Sequence, residues 1–87
     1  MAKTLVGKVS HFFGNLGVAA LTLSGDLSKT DMLRFERKDG SVVLESAIGS
    51  MQIDRADVDS AGPGDDVAVK VDGRVHDGNL VYKVTEE

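Results

Sequence analysis

The chain has 87 residues, 41% of them hydrophobic and 28% charged, which suits one soluble domain with one modest core. It has no cysteine, which excludes a disulfide framework, a thiolate zinc site and a cysteine nucleophile. Fourteen acids against ten bases give a net charge of −4 and an isoelectric point near 5.0, well short of the values above about 9 usual for domains that wrap duplex DNA.

Met1 to Lys8 contains no apolar h-region, and the longest strictly apolar stretch runs only from Val18 to Leu21. Neither an export signal nor a membrane span is expected, and the expected location is the cytoplasm. Further along, ten glycines punctuate short runs of Val, Leu and Ile, often beside Asn or Asp, as hairpin turns do. Gly14-Asn15 separates Leu5–Phe13 from Leu16–Leu23, and Asp39-Gly40 separates Met32–Arg37 from Ser41–Ser46. Leu33 and Phe35 should face one way while Arg34 and Glu36 face the other. Residues 42–53 read as one long strand bent at Gly49, with Met51 and Ile53 on one face. Residues 54–66 are polar, hold the only proline, Pro63, and read as a long connection across one end of the molecule. Val67, Val69 and Val71 alternate with Ala68 and Lys70 in the clearest half-buried strand. Leu80, Tyr82 and Val84 alternate with Val81 and Lys83 in the last one. No window keeps a helical apolar stripe. The expectation is an all-β fold over residues 1–87, a single six-stranded, mostly antiparallel closed barrel with its core in 5–84.

Motifs that would carry chemistry are missing. Gly7-Lys8 is followed by Val9 and lacks the upstream glycine of a Walker loop. Starting at Asp57, an EF-hand pattern fails at Ala61 and again at Ala68. His11 and His76 are the only histidines and make a poor zinc set without further ligands. No catalytic residue, cofactor or metal is expected, and the chain does not read as an enzyme. The charge is uneven: residues 1–53 carry six bases and five acids, residues 54–87 four bases and nine acids. A single-stranded RNA would therefore have to touch the first half. The candidate contacts are Lys8, His11 and Phe12 on the first strand, and Arg34, Arg37 and Lys38 around the Asp39-Gly40 turn. Arg34 projects away from Leu33 and Phe35, so its guanidinium should be free for a phosphate or a base plane. The alternative is that these bases pair with Glu36, Asp39 and Glu45.

The order of segments carries a resemblance. Val6-Gly7-Lys8-Val9, Gly17-Val18-Ala19, then Leu27 and Asp31 resemble the opening of the second domain of translation GTPases such as elongation factor Tu and initiation factor 2. Ser50-Met51-Gln52-Ile53, Ala61-Gly62-Pro63-Gly64-Asp65 with Val67–Val71, and Asp77-Gly78-Asn79-Leu80 look like that family's later strands. Ser28-Lys29-Thr30-Asp31 departs from it by lacking the glycine before the aspartate. The C-terminal barrel of collagenase-like peptidases is similar to the same run. The resemblance implies a translation-type barrel without the GTPase domain. It also implies a non-catalytic binding module acting through RNA, the ribosome or a translation-associated protein; the low isoelectric point and the lack of an apolar span add the expectation that neither duplex DNA nor membrane is a partner. The alternative is a protein–protein accessory subunit, a barrel that docks on an enzyme and has no RNA role.

Overall fold

The structure, a computed structural model, describes residues 2–85. It is all-β. The strands are β1 (Ala2–Phe13), β2 (Val18–Leu23), β3 (Leu27–Ser28), β4 (Met32–Glu36), β5 (Val42–Ala47), β6 (Met51–Ile53), β7 (Ala56–Asp57), β8 (Ser60–Ala61), β9 (Asp66–Lys70) and β10 (Leu80–Thr85). Eight form one antiparallel sheet in the order β5-β4-β10-β1-β2-β9-β6-β7, while β3 pairs with β8. The strands number ten rather than the six expected, and among the described residues no ladder joins β5 to β7. The sheet is thus not closed by hydrogen bonds. None of the described residues forms a helix long and apolar enough to cross a membrane.

Connectivity curls the sheet instead. β5 stands at one end of the strand order and β6 next to the other, yet only residues 48–50 join them. Three residues span at most about 14 Å between flanking Cα atoms, so the two ends must approach. The run 42–53, expected as one bent strand, is therefore two strands with the break at Ile48–Ser50. Gly49 N–H donates to the Lys70 carbonyl and Lys70 N–H to the Ser50 carbonyl, each at 2.9 Å. Asp72 N–H donates to Ser46 Oγ at 3.0 Å, which ties β5 to the segment after β9.

Inside the curl lies one apolar core. Phe35, Leu33, Leu21, Val69, Val81 and Val6 are completely buried. The alternation read for Leu33 and Phe35, and for Val67, Val69 and Val71, is the observed inward face. β1 departs from strict alternation, because Val6 and Val9 are both buried though three residues apart. Its pairing slips by one residue at Val6 against β10 and at Ser10 against β2. The bulge at Val6 reverses the parity of the residues beyond it, so both valines reach the core, and the bulge at Ser10 reverses it again, so Phe12 does too. Residues 54–66, expected as connection only, contain the short strands β7 and β8.

Candidate interaction surface

Residues directly opposite one another in a ladder share a face, so the register assigns the outer surface of β1, β10, β4 and β5. Lys3, Val84, Met32 and Ala47 form one rung. Leu5, Tyr82, Arg34 and Glu45 form the next, and Lys8, Leu80, Glu36 and Val42 the third. Leu5, Met32 and Val42 are 47%, 44% and 47% exposed, and they are three of the five large apolar side chains left exposed among the described residues. Leu80, Tyr82 and Val84 are half-buried between them. Contiguous apolar surface rimmed by charge is the usual mark of a contact site, whereas isolated exposed apolar residues are not.

An ionic cluster sits in the middle of this face. Glu36 is 2% exposed, and Lys3 Nζ donates to its Oε2 at 2.7 Å. Arg34 Nε lies 2.9 Å from the same oxygen. No hydrogen bond from that nitrogen has acceptable geometry, so the contact is Coulombic rather than directional. Lys3 also stands over the Tyr82 ring, 4.6 Å from its centroid. The expectation that Arg34 is free is therefore corrected: strand geometry sends it outward, but Glu36, two residues on, points the same way and holds it.

The other candidate residues divide into two groups. Lys8 is exposed on the third rung, and Arg37 and Lys38 are exposed in the turn after β4. Together with Arg34 they lie on one side of the molecule, and among the described residues Lys8, Arg37 and Lys38 form no ion pair. In that turn Asp39 Oδ1 accepts the Ser41 N–H at 2.9 Å, and this backbone hydrogen bond lowers its pKa below the usual carboxylate value. His11 and Phe12 belong instead to the end of β1 that runs beyond β10. His11 packs edge-to-face on Phe13 at 4.5 Å between centroids, and its Nδ1 is 3.6 Å from the Asp77 carboxylate. Phe12 turns its ring to the core, while its N–H donates to Asp77 Oδ1 at 3.1 Å. In the segment between β3 and β4, Lys29 pairs with Asp59 at 2.9 Å, and that hydrogen bond raises the lysine pKa. Among the described residues no group of three or more His, Asp or Glu could hold a metal ion.

Sequence reasoning offered Glu36 as a partner for Arg34, which is the pairing observed, but missed Lys3 and the apolar members of the face. The signal was present in the alternation of Leu80, Tyr82 and Val84 with the inward Val81. What was lacking was the knowledge that β10 lies between β1 and β4, since that pairing joins segments more than forty residues apart.

No family model matches the chain. It is 34% identical over 84 residues to an uncharacterised protease of Methanocaldococcus jannaschii, a match that takes in 97% of this chain and 20% of the relative. The chain thus spans about a fifth of that relative's length. Among solved structures it is similar to the C-terminal domain of a Geobacillus thermoleovorans protein described as a U32 peptidase. That match has a TM-score of 0.82 at 18% identity and covers 93% of this chain and 92% of that one. It is also similar to part of GDP-bound aIF5B from Aeropyrum pernix, with a TM-score of 0.60 at 16% identity, over 93% of this chain and 14% of that one. At these identities the structural likenesses show a shared fold, which the U32 peptidase C-terminal domain matches better than the translation factor does.

Proposed function

We propose that this chain is a non-catalytic binding domain that docks on a protein body, as a domain appended to a U32-type peptidase would. The observation that carries this reading is where the aromatic and arginine side chains go. Phe35 is wholly buried, Phe12 packs on the core, Tyr82 lies under Lys3, and Arg34 is held by Glu36. Stacking on single-stranded bases needs open aromatic or guanidinium planes; these four are occupied, and the one exposed phenylalanine among the described residues, Phe13 at 44%, has its ring against His11. The likeness to a segment of an uncharacterised protease and to a peptidase C-terminal domain supports a role beside a larger polypeptide. The one His–carboxylate contact among the described residues, His11 with Asp77, has both side chains more than half exposed and reads as surface pairing rather than as a base and its orienting group.

A second reading keeps the translation-factor type of barrel and RNA as the partner. The exposed Lys8, Arg37 and Lys38 favour it, as does the likeness to aIF5B. Two measurements separate the readings. The matched segment of the Methanocaldococcus protease is replaced by this chain, and small-angle scattering distinguishes a docked domain from a tethered, tumbling one. The chain alone is titrated with tRNA at about 50 and 200 mM salt, where phosphate contacts give a steep loss of affinity. A docked chimaera without salt-dependent tRNA binding is expected. A tumbling domain, or tRNA binding that weakens steeply with salt, overturns the docking reading.

A further inference from the structure

The outer face of β1, β10, β4 and β5 differs from the rest of the surface in two independent ways. It holds three of the five exposed large apolar side chains among the described residues, and it is basic at one end. Lys8 on the third rung, with Arg37 and Lys38 in the turn beyond it, stands there against Asp39, whereas Asp31 and Asp72 border the first rung at the other end. That cationic end belongs to a chain of net −4. The outer face of the other sheet wing, on β2, β9 and β6, offers Val18, Ala20, Thr22, Lys70, Ala68, Asp66 and Gln52 in its rungs. Among the described residues it has no large exposed apolar side chain, and its one base and one acid cancel.

The apolar side chains and the cations are interleaved rather than segregated. Leu5 and Met32 flank the Lys3–Glu36–Arg34 cluster, and Val42 shares a rung with Lys8. The cluster also limits the motion of its two cations, because both are fixed on a buried carboxylate. Less side-chain entropy then remains to be lost on contact. A partner complementary to such a surface brings aliphatic side chains to the centre and carboxylates to the edge near Lys8, Arg37 and Lys38. A nucleic acid would meet the same cations, but exposed aliphatic side chains offer it nothing to stack on.

From this we infer that the outer β1-β10-β4-β5 face is the docking surface, and that its partner is an acidic, aliphatic protein surface. The inference rests on the docking reading above and adds which face is used and what chemistry it meets.

The test is lysine acetylation footprinting of this chain alone and in the chimaera with the Methanocaldococcus protease, read by mass spectrometry. Lys8 and Lys38 should label several-fold more slowly in the chimaera, while Lys29 and Lys70, outside the face, keep their rates. Met32→Glu combined with Val42→Glu, both at exposed positions, should restore fast labelling of Lys8 and Lys38. Gln52→Lys on the opposite wing should not. If Lys29 and Lys70 are the protected pair, or if the double variant stays protected, the face is wrong although docking stands. If every lysine labels as in the isolated chain, docking itself fails and this inference goes with it. Should the chimaera be insoluble, the same labelling is read with this chain added to the protease lacking its matched segment. A footprint on Lys8 and Lys38 produced by tRNA on the isolated chain, and lost with salt, assigns the face to nucleic acid and overturns the proposal.

Discussion

Glu36 is an outward-facing residue on a four-strand sheet face and is nonetheless 2% exposed. Two cations cover it, and they differ in access to water: the Lys3 side chain is 45% exposed and that of Arg34 29%. Removing the carboxylate charge does not strand them as it would in a sealed core, since both can turn toward solvent. Glu36→Gln should therefore cost about 1–2 kcal/mol, the lower part of the range for losing a hydrogen-bonded charge. Urea unfolding measures it, and an unchanged midpoint would mean that the carboxylate contributes no net stability. Asp39 gives a prediction in pH. Its folded pKa is depressed by the Ser41 N–H, so its contribution is present above the ordinary carboxylate pKa and is lost as pH falls through the lower folded value. Asp39→Asn should flatten the acid side of the stability curve and leave the neutral side little changed. Asp39 could be anticipated from sequence as the first residue of an Asp-Gly turn, and Glu36 as a partner of Arg34 but not as a buried one. The burial of Glu36 depends on β1 arriving from thirty-three positions away.

At the level of elements, the hairpin from β6 to β7 turns on two non-glycine residues with positive φ, Asp54 at 51° and Arg55 at 67°. A two-residue loop of type I′ asks for this conformation at both positions, which Asn-Gly adopts at least cost. Asp54→Asn with Arg55→Gly should raise the melting temperature by a few degrees, since relieving αL strain in a small domain gains about 1 kcal/mol. A lower melting temperature would mean that the side chains at 54 and 55 contribute more than their backbone strain costs. This hairpin also marks where the fold stopped being legible. Long strands with valine or leucine at alternate positions, such as β9, and turns marked by Gly-Asn or Asp-Gly could be read directly. β7 and β8 have two residues each, too few to show a period, and Asp54-Arg55 has a usual turn residue only at its first position and lacks the glycine that marks those turns. β1 hid its pattern differently, because the bulge at Val6 puts Val6 and Val9 on the same side and the one at Ser10 turns Phe12 rather than His11 to the core. The candidate surface was legible only in part for a related reason. Alternation says which residues share a strand face, but not which strands lie side by side.

For the whole molecule, the question is what keeps an eight-stranded sheet curled when its ends share no ladder. The core provides most of it: Val69 is fully buried, and an unpaired carboxylate placed there by Val69→Asp should unfold a domain of about 5–10 kcal/mol total stability. The seam itself is thinner. Ser46, 4% exposed, accepts the Asp72 N–H at 3.0 Å and donates to the Ala47 carbonyl at 2.7 Å. Gly73 lies against Leu44, where a Cβ would come within 2.8 Å of the leucine side chain. Ser46→Ala removes the acceptor of Asp72 while leaving the core and every ladder intact. Because Asp72 is exposed, water can replace the lost partner, so the global cost should be only about 1 kcal/mol. The local effect should be larger. Amide exchange at Asp72 should accelerate well beyond that of Val81 or Leu21 in the centre of the sheet, because the seam can open without breaking the core. Equal acceleration at all three positions would mean that the seam opens only with global unfolding, and that the curl is set by the core and the three-residue link between β5 and β6.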